Sequence, residues 1–152
     1  MLEYLITGTD MLNARPGFKL AGRANALHRL SSILIKSKSN SVIISGPGGV
    51  GISSLVLGLQ ALKTTDNVQF DILCKRMFWL DTDALFMSND SKQINANFDK
   101  MMYLLNRTPE SILVIEDTFD FIEAARGIGS NYFINSFMSA IKQKTNQFIF
   151  QT

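Results

Sequence analysis

The residues with the clearest chemical purpose are Gly46-Pro47-Gly48-Gly49-Val50-Gly51-Ile52-Ser53. They follow an apolar run, Val42 to Ser45, and open a helical pattern that starts near Ser54. Glycines let a chain turn with its N–H groups facing one centre, and a helix N-terminus adds positive potential. Together these make an anion cradle suited to phosphates. Gly46, Gly51 and Ser53 fit the phosphate-loop spacing GxxxxGK[ST], but Ile52 stands where the lysine belongs. Losing that charge-assisted contact weakens phosphate binding by roughly 1.5–3 kcal/mol, about ten- to a hundred-fold. Two roles stay open: the loop amides still hold a nucleotide, or the glycines only turn a strand into a helix.

A second constellation lies some 65 residues downstream, where Ile112-Leu113-Val114-Ile115 ends in Glu116-Asp117. Acids at the end of a buried strand are where a phosphoryl-transfer site organises magnesium and activates water. The usual order is Asp then Glu; the reversed order keeps both charges and changes each reach by one methylene. Catalytic geometry is sensitive on that scale, since a displacement of about 1 Å can cost a hundred-fold. Alone, the pair would be read as a strand end opening a solvated loop. Beside the glycine loop it reads as the remains of a nucleotide site. Asp81-Thr82-Asp83 resembles the aspartate motif of haloacid-dehalogenase-type phosphatases, but it follows the second strand rather than the first, and Asp83 is expected to cap a short helix through Ala84 and Leu85. His28 is expected on a polar helix face. Cys74, beside Lys75 and Arg76, lacks a partner histidine and is expected to have only a packing role.

These residues must be held by a frame, and the hydrophobic pattern supplies one. Val42 to Ser45, Met77 to Leu80, Ser111 to Ile115 and Gln147 to Phe150 are short and continuously apolar, as parallel strands covered on both faces should be. Helical stripes alternate with them: Leu27, Leu30 and Leu34; Leu55, Leu59 and Leu62; Phe98, Met101, Met102 and Leu105; Ile134, Phe137, Met138 and Ile141. Ser37 to Ser41 reads as a polar loop and Gly127 to Ser130 as a flexible one. Alternation of helix and buried strand predicts an α/β fold with a mostly parallel sheet and right-handed crossovers.

Composition agrees. The chain has 152 residues, 46% hydrophobic and 18% charged, with one cysteine, and its mean hydropathy is +0.11. That suits one compact domain with a real core and rules out a disulfide framework or a cysteine-only metal site. Fifteen basic and thirteen acidic residues give +2, too balanced to indicate nucleic-acid binding. Apolar runs stop well short of the roughly 18 residues of a membrane span, and Gly8, Thr9 and Asp10 interrupt the first one before a secretory leader develops. A cytoplasmic protein is expected.

The order of these motifs resembles the first nucleotide-binding module of Clp-type AAA+ chaperones, the ClpA-, ClpB- and ClpC-like unfoldases and disaggregases. Leu20-Ala21-Gly22-Arg23 is similar to the family's V-I-G-R segment against the adenine. Gly46 to Ser53 followed by Ser54-Leu55-Val56-Leu57-Gly58-Leu59 looks like G-E-P-G-V-G-K-T followed by A-I-V-E-G-L. Arg76 to Leu85 resembles R-V-L-A-L-D-x-x-A-L, Ile112 to Asp117 stands at Walker B, and Thr152 falls on the sensor-1 threonine. The resemblance implies a P-loop NTPase of AAA+ type, a three-layer α/β/α large subdomain over 20–152, incomplete at its C-terminus, behind a leader at 1–19. It implies ATP or ADP held by Leu20, Ala21, Gly46, Gly48, Gly49, Val50, Gly51, Ile52, Ser53 and Ser54, with Mg2+ on Ser53 and Glu116. Catalytic roles fall to Glu116, Asp117 and Thr152.

Three departures set the functional expectation. The Walker lysine is Ile52, the Walker B acids are inverted, and the pore-loop Y-R-G-E-F falls on Ile94-Asn95-Ala96-Asn97-Phe98, without its gripping aromatic. The implied function is a pseudo-ATPase scaffold with protein partners, in a hexameric ring or larger remodelling or secretion-associated assembly. It would have no nucleic acid and no direct membrane insertion. The alternative is an active ATP-hydrolysing unfoldase module using Glu116 and Asp117.

Overall fold

The computed structural model describes residues 2–65, 70–129, 131–144 and 146–152. Ser130, placed above in a flexible loop, lies outside them. The elements in chain order are β1 (Leu5–Thr7), α1 (Gly8–Asn13), α2 (Ala24–Leu34), β2 (Val42–Ile44), α3 (Ile52–Leu62), α4 (Phe70–Leu73), β3 (Arg76–Leu80), α5 (Thr82–Leu85), α6 (Ser91–Arg107), β4 (Ser111–Ile115), α7 (Thr118–Gly127), α8 (Tyr132–Gln143) and β5 (Gln147–Gln151).

The five strands form one sheet in the order β1-β3-β4-β5-β2, parallel except for the antiparallel β1–β3 pair. Side chains alternate across a strand, so neighbouring residues of β3, β4 and β5 feed opposite layers. Phe78, Leu113, Ile115 and Phe148 pack with α5, α6, α7 and α8, whereas Met77, Trp79, Ile112, Val114 and Ile149 pack with α2, α3 and α4. Three layers result, helices on both faces of a sheet with continuously apolar central strands. The first layer is built on phenylalanine: Phe98 stacks on Phe133 at 4.2 Å, and Phe137 meets Phe148 edge-on at 5.1 Å.

Several local readings change in three dimensions. Leu5–Thr7, within the segment set apart as a leader, adds a fifth strand, and α1 packs near α3. Val42–Ile44 is not covered on both faces: it is an edge strand, and Ile43 is 72% exposed. The buried face of α8 is Phe133, Phe137 and Ala140. Ile134 and Ile141 are half-buried and Met138 is exposed, because the ring cluster turns the helix toward Phe98 and Phe148. The chain after Asp117 forms α7, anchored by Phe121 and Ala125, a helix that the apolar stripes did not include.

Candidate functional site

The chain leaves β2 at one edge, crosses past β5 and β4 to β3, and then returns through β4 to β5. The segment after β2 packs on one face of the sheet and those after β3 and β4 on the other. The carboxyl ends of β2 and β5 therefore border a crevice, the place where open α/β sheets bind ligands. The glycine loop leaves β2 at that point. Thr152 lies beside it, its N–H donating to the Ile44 carbonyl at 3.0 Å, and Glu116 ends the adjacent β4.

The loop is exposed and left-handed at Gly49 and Gly51, with φ of +81° and +86°. A residue with a Cβ is strained in that conformation, so glycine is required at the turn into α3. Gly48 and Gly49 face open space, as a ligand cradle should. Ile52 does not extend outward. Its Cδ1 and Val50 Cγ1 lie 3.3 and 2.9 Å from where a Gly46 Cβ would sit, so two apolar side chains fold back on the start of the loop. Ser54 is half-buried in the first turn of α3.

Leu20 reaches the site through packing. It fills a notch at Gly58 of α3, where a Cβ would lie 2.6 Å from Leu20 Cδ2. This seats the Leu20–Arg23 segment against the helix that the loop opens. Ala21 is exposed, and Gly22 turns the chain at φ +71°. Arg23 then reaches the loop itself, its Nη1 donating to the Val50 carbonyl at 2.8 Å.

Gln151 is a site residue that sequence reasoning missed. Ser53 Oγ bonds Gln151 Oε1 at 3.1 Å across 98 residues of chain. Gln151 is only 3% exposed, and its Nε2 has no partner among the described residues. Turning the amide end for end exchanges the two atoms and still leaves one end buried and unpaired. Only the β2–β5 pairing brings it to Ser53, and its place just past the apolar run Gln147 to Phe150 carried no signal of that.

Glu116 is half-buried while Asp117 is exposed at the start of α7, where its side chain makes no capping bond. Burial raises the Glu116 carboxyl above its usual range, the Asp117 charge pushes it further, and the nearby Trp79 indole and Arg15 pull it back. Arg15, whose charge acts on Glu116, stacks on Phe18 at 5.1 Å.

The donor set suits a polyphosphate: exposed loop amides, the α3 N-terminus and an unpaired buried amide end. Of the two residues expected to face magnesium, Ser53 is exposed with its hydroxyl bonded to Gln151, and Glu116 is half-buried; among the described residues no group of three His, Cys, Asp or Glu gathers to hold a metal. Magnesium needs few protein ligands when phosphates supply the others.

The remaining candidates settle as structure. The short helix α5 is capped by Asp81, which accepts from the Ala84 N–H at 3.0 Å; Asp83 lies within the first turn, so the cap is Asp81 and not Asp83. Ile94 to Phe98 lies inside α6, with Ile94 and Phe98 in the core rather than on an exposed loop. Cys74 is exposed instead of packed, and no described helix is long and apolar enough to cross a membrane.

No protein-family profile matches the chain, and no curated protein matches it. Solved structures do. Saccharomyces cerevisiae Hsp104 bound to ADP superposes with a TM-score of 0.80 at 18% identity, covering 99% of this chain and 21% of that one. The closed state of Hsp104 with ATPγS and FITC-casein gives 0.80 at 18%, covering 98% and 26%. The extended S. cerevisiae Hsp104–casein complex gives 0.78 at 18%, covering 98% and 25%. The chain thus spans about a fifth to a quarter of the Hsp104 chains. The likeness establishes a Clp-like AAA+ fold, the three-layer α/β/α architecture with its mostly parallel sheet.

Proposed function

We propose that this chain is a Clp-like AAA+ nucleotide-binding module, with residues 20–152 as the large subdomain and 1–19 as a leader adding an edge strand. It binds ATP or ADP weakly, hydrolyses it slowly or not at all, and acts as a pseudo-ATPase scaffold in a ring or larger remodelling assembly. Hsp104 is seen with ADP, with ATPγS and with casein, which supports a nucleotide and a protein partner here.

The observation that carries this reading is the state of the loop. Its backbone geometry is that of a cradle, yet Ile52 folds an apolar side chain onto Gly46 where a lysine would offer charge. Glu116 is half-buried, and burial with the Asp117 charge raises its carboxyl above the usual range, which supports a weakened metal ligand at that position. In the working site Ser53 and Glu116 would face Mg2+, the metal neutralising phosphate charge, while Asp117 and Thr152 face the terminal phosphate and its water.

The test is phosphate release from ATP by the native chain and by Ile52→Lys, each with and without Mg2+. The scaffold reading expects no turnover above background from the native chain. Magnesium-dependent turnover by the native chain, abolished in Glu116→Gln and Asp117→Asn, would establish the active ATPase instead.

A further inference from the structure

The loop lacks its own lysine, yet a cation has been brought to it from elsewhere. Among the described residues Arg23 is the one basic side chain hydrogen-bonded to the 46–53 loop, at 2.8 Å to the Val50 carbonyl. Its Nη1 also lies 3.9 Å from where a Cβ on Gly51 would be, so the guanidinium packs over the bare Cα just before Ile52. The charge is unspent: no carboxylate among the described residues pairs with Arg23. Arginine has five N–H donors in a fixed fork, so one bond to the loop leaves others that can grip two oxygens of a phosphate. Two independent features aim at the same ligand. The loop presents amides at the α3 N-terminus, and Gln151, nine-tenths buried beside Ser53, keeps one amide end unpaired.

We propose that Arg23, seated on the glycine loop through Val50, supplies the positive charge that Ile52 cannot, and so makes the cradle selective for the diphosphate of a nucleotide over its nucleoside. The proposal rests on the nucleotide-binding reading above and assigns the charge within that site. Leu20 is its lever. By filling the Gly58 notch it fixes the start of the segment, and Arg23 at the other end meets the loop.

The test is isothermal titration of the 152-residue chain with ADP and with adenosine, in the native form, Arg23→Gln, Ile52→Lys and Arg23→Gln/Ile52→Lys. Glutamine keeps a donor for the Val50 carbonyl and drops the charge, and a circular-dichroism melt confirms that each variant is folded. The expected result is that Arg23→Gln weakens ADP by about ten- to a hundred-fold and leaves adenosine within about two-fold, with Ile52→Lys restoring ADP in the double variant. Three outcomes overturn the assignment: ADP affinity unchanged in Arg23→Gln; ADP and adenosine weakened in parallel, which would mean loop shape alone; or binding by Ile52→Lys but not by the native chain. Absence of ADP binding in the native chain and in Ile52→Lys alike would remove the nucleotide reading itself, and the assignment with it.

Discussion

Replacing a polar residue of the candidate site should make the free protein more stable. Gln151 is buried at the end of β5, with one amide end on Ser53 Oγ at 3.1 Å and the other unpaired. Gln151→Met keeps the length and shape of the side chain. It loses one neutral hydrogen bond, about 0.5–1.5 kcal/mol, and removes a buried unsatisfied group whose desolvation costs about 1–3 kcal/mol. Ser53 is exposed, so its freed hydroxyl turns to water and adds no penalty. The difference favours the variant by about 1 kcal/mol, and which amide atom faces Ser53 does not alter it. In urea titration, with m of about 1–3 kcal/mol/M, the midpoint should rise by roughly 0.5 M at unchanged m. The same substitution should reduce the stabilisation gained from saturating ADP, since the unpaired end is then available to a ligand. A midpoint lowered by about 0.5 M or more, with m unchanged, would refute the reasoning, because the amide would then be satisfied in the free protein.

Phe133→Ala should cost about 3–5 kcal/mol in the same assay, since Phe133 is fully buried and stacked on Phe98; a loss below about 1 kcal/mol would contradict the ring cluster as the core of that layer. Asp81→Ala should lose about 1 kcal/mol with its cap, while Asp83→Ala changes stability by less than about 0.5 kcal/mol; equal losses would undo the cap assignment. Glu116→Gln should show a pH-dependent gain. Because burial and Asp117 raise the folded-state carboxyl, folding favours its protonated form. That stability is complete below the unfolded carboxyl value and is lost as pH rises through the folded one. Glutamine mimics the protonated form, so the variant should melt above the native chain near neutral pH, with the gap closing toward about pH 4. A gap that widens on acidification would reverse the sign of the shift.

Much of the fold was legible because burial leaves a linear trace. β3, β4 and β5 are covered on both faces and so read as unbroken apolar runs, and the Phe98 and Leu105 stripe of α6 repeats at helical spacing. Features that depend on a distant neighbour left weaker traces. Leu5–Thr7 is three residues long and becomes a strand by pairing with Phe78–Leu80. Ile43 belongs to an apolar run like the others, but its position at the sheet edge leaves it exposed. On α8, two interleaved apolar sets compete in sequence, and the rings of Phe98 and Phe148 decide for Phe133 and Phe137.

The site divides in the same way. Sequence alone determined the glycine loop, the missing lysine and the acidic strand end, because each is a matter of residue type at short spacing, and backbone geometry over eight residues follows from glycine itself. Tertiary structure decided which charges and amides face that loop. Arg23 arrives from 27 residues upstream and Gln151 bonds across 98. Neither has a local signature, because a hydrogen bond between remote residues depends on where the sheet order and the Leu20–Gly58 contact deliver them, and those placements exist only once the layers have packed.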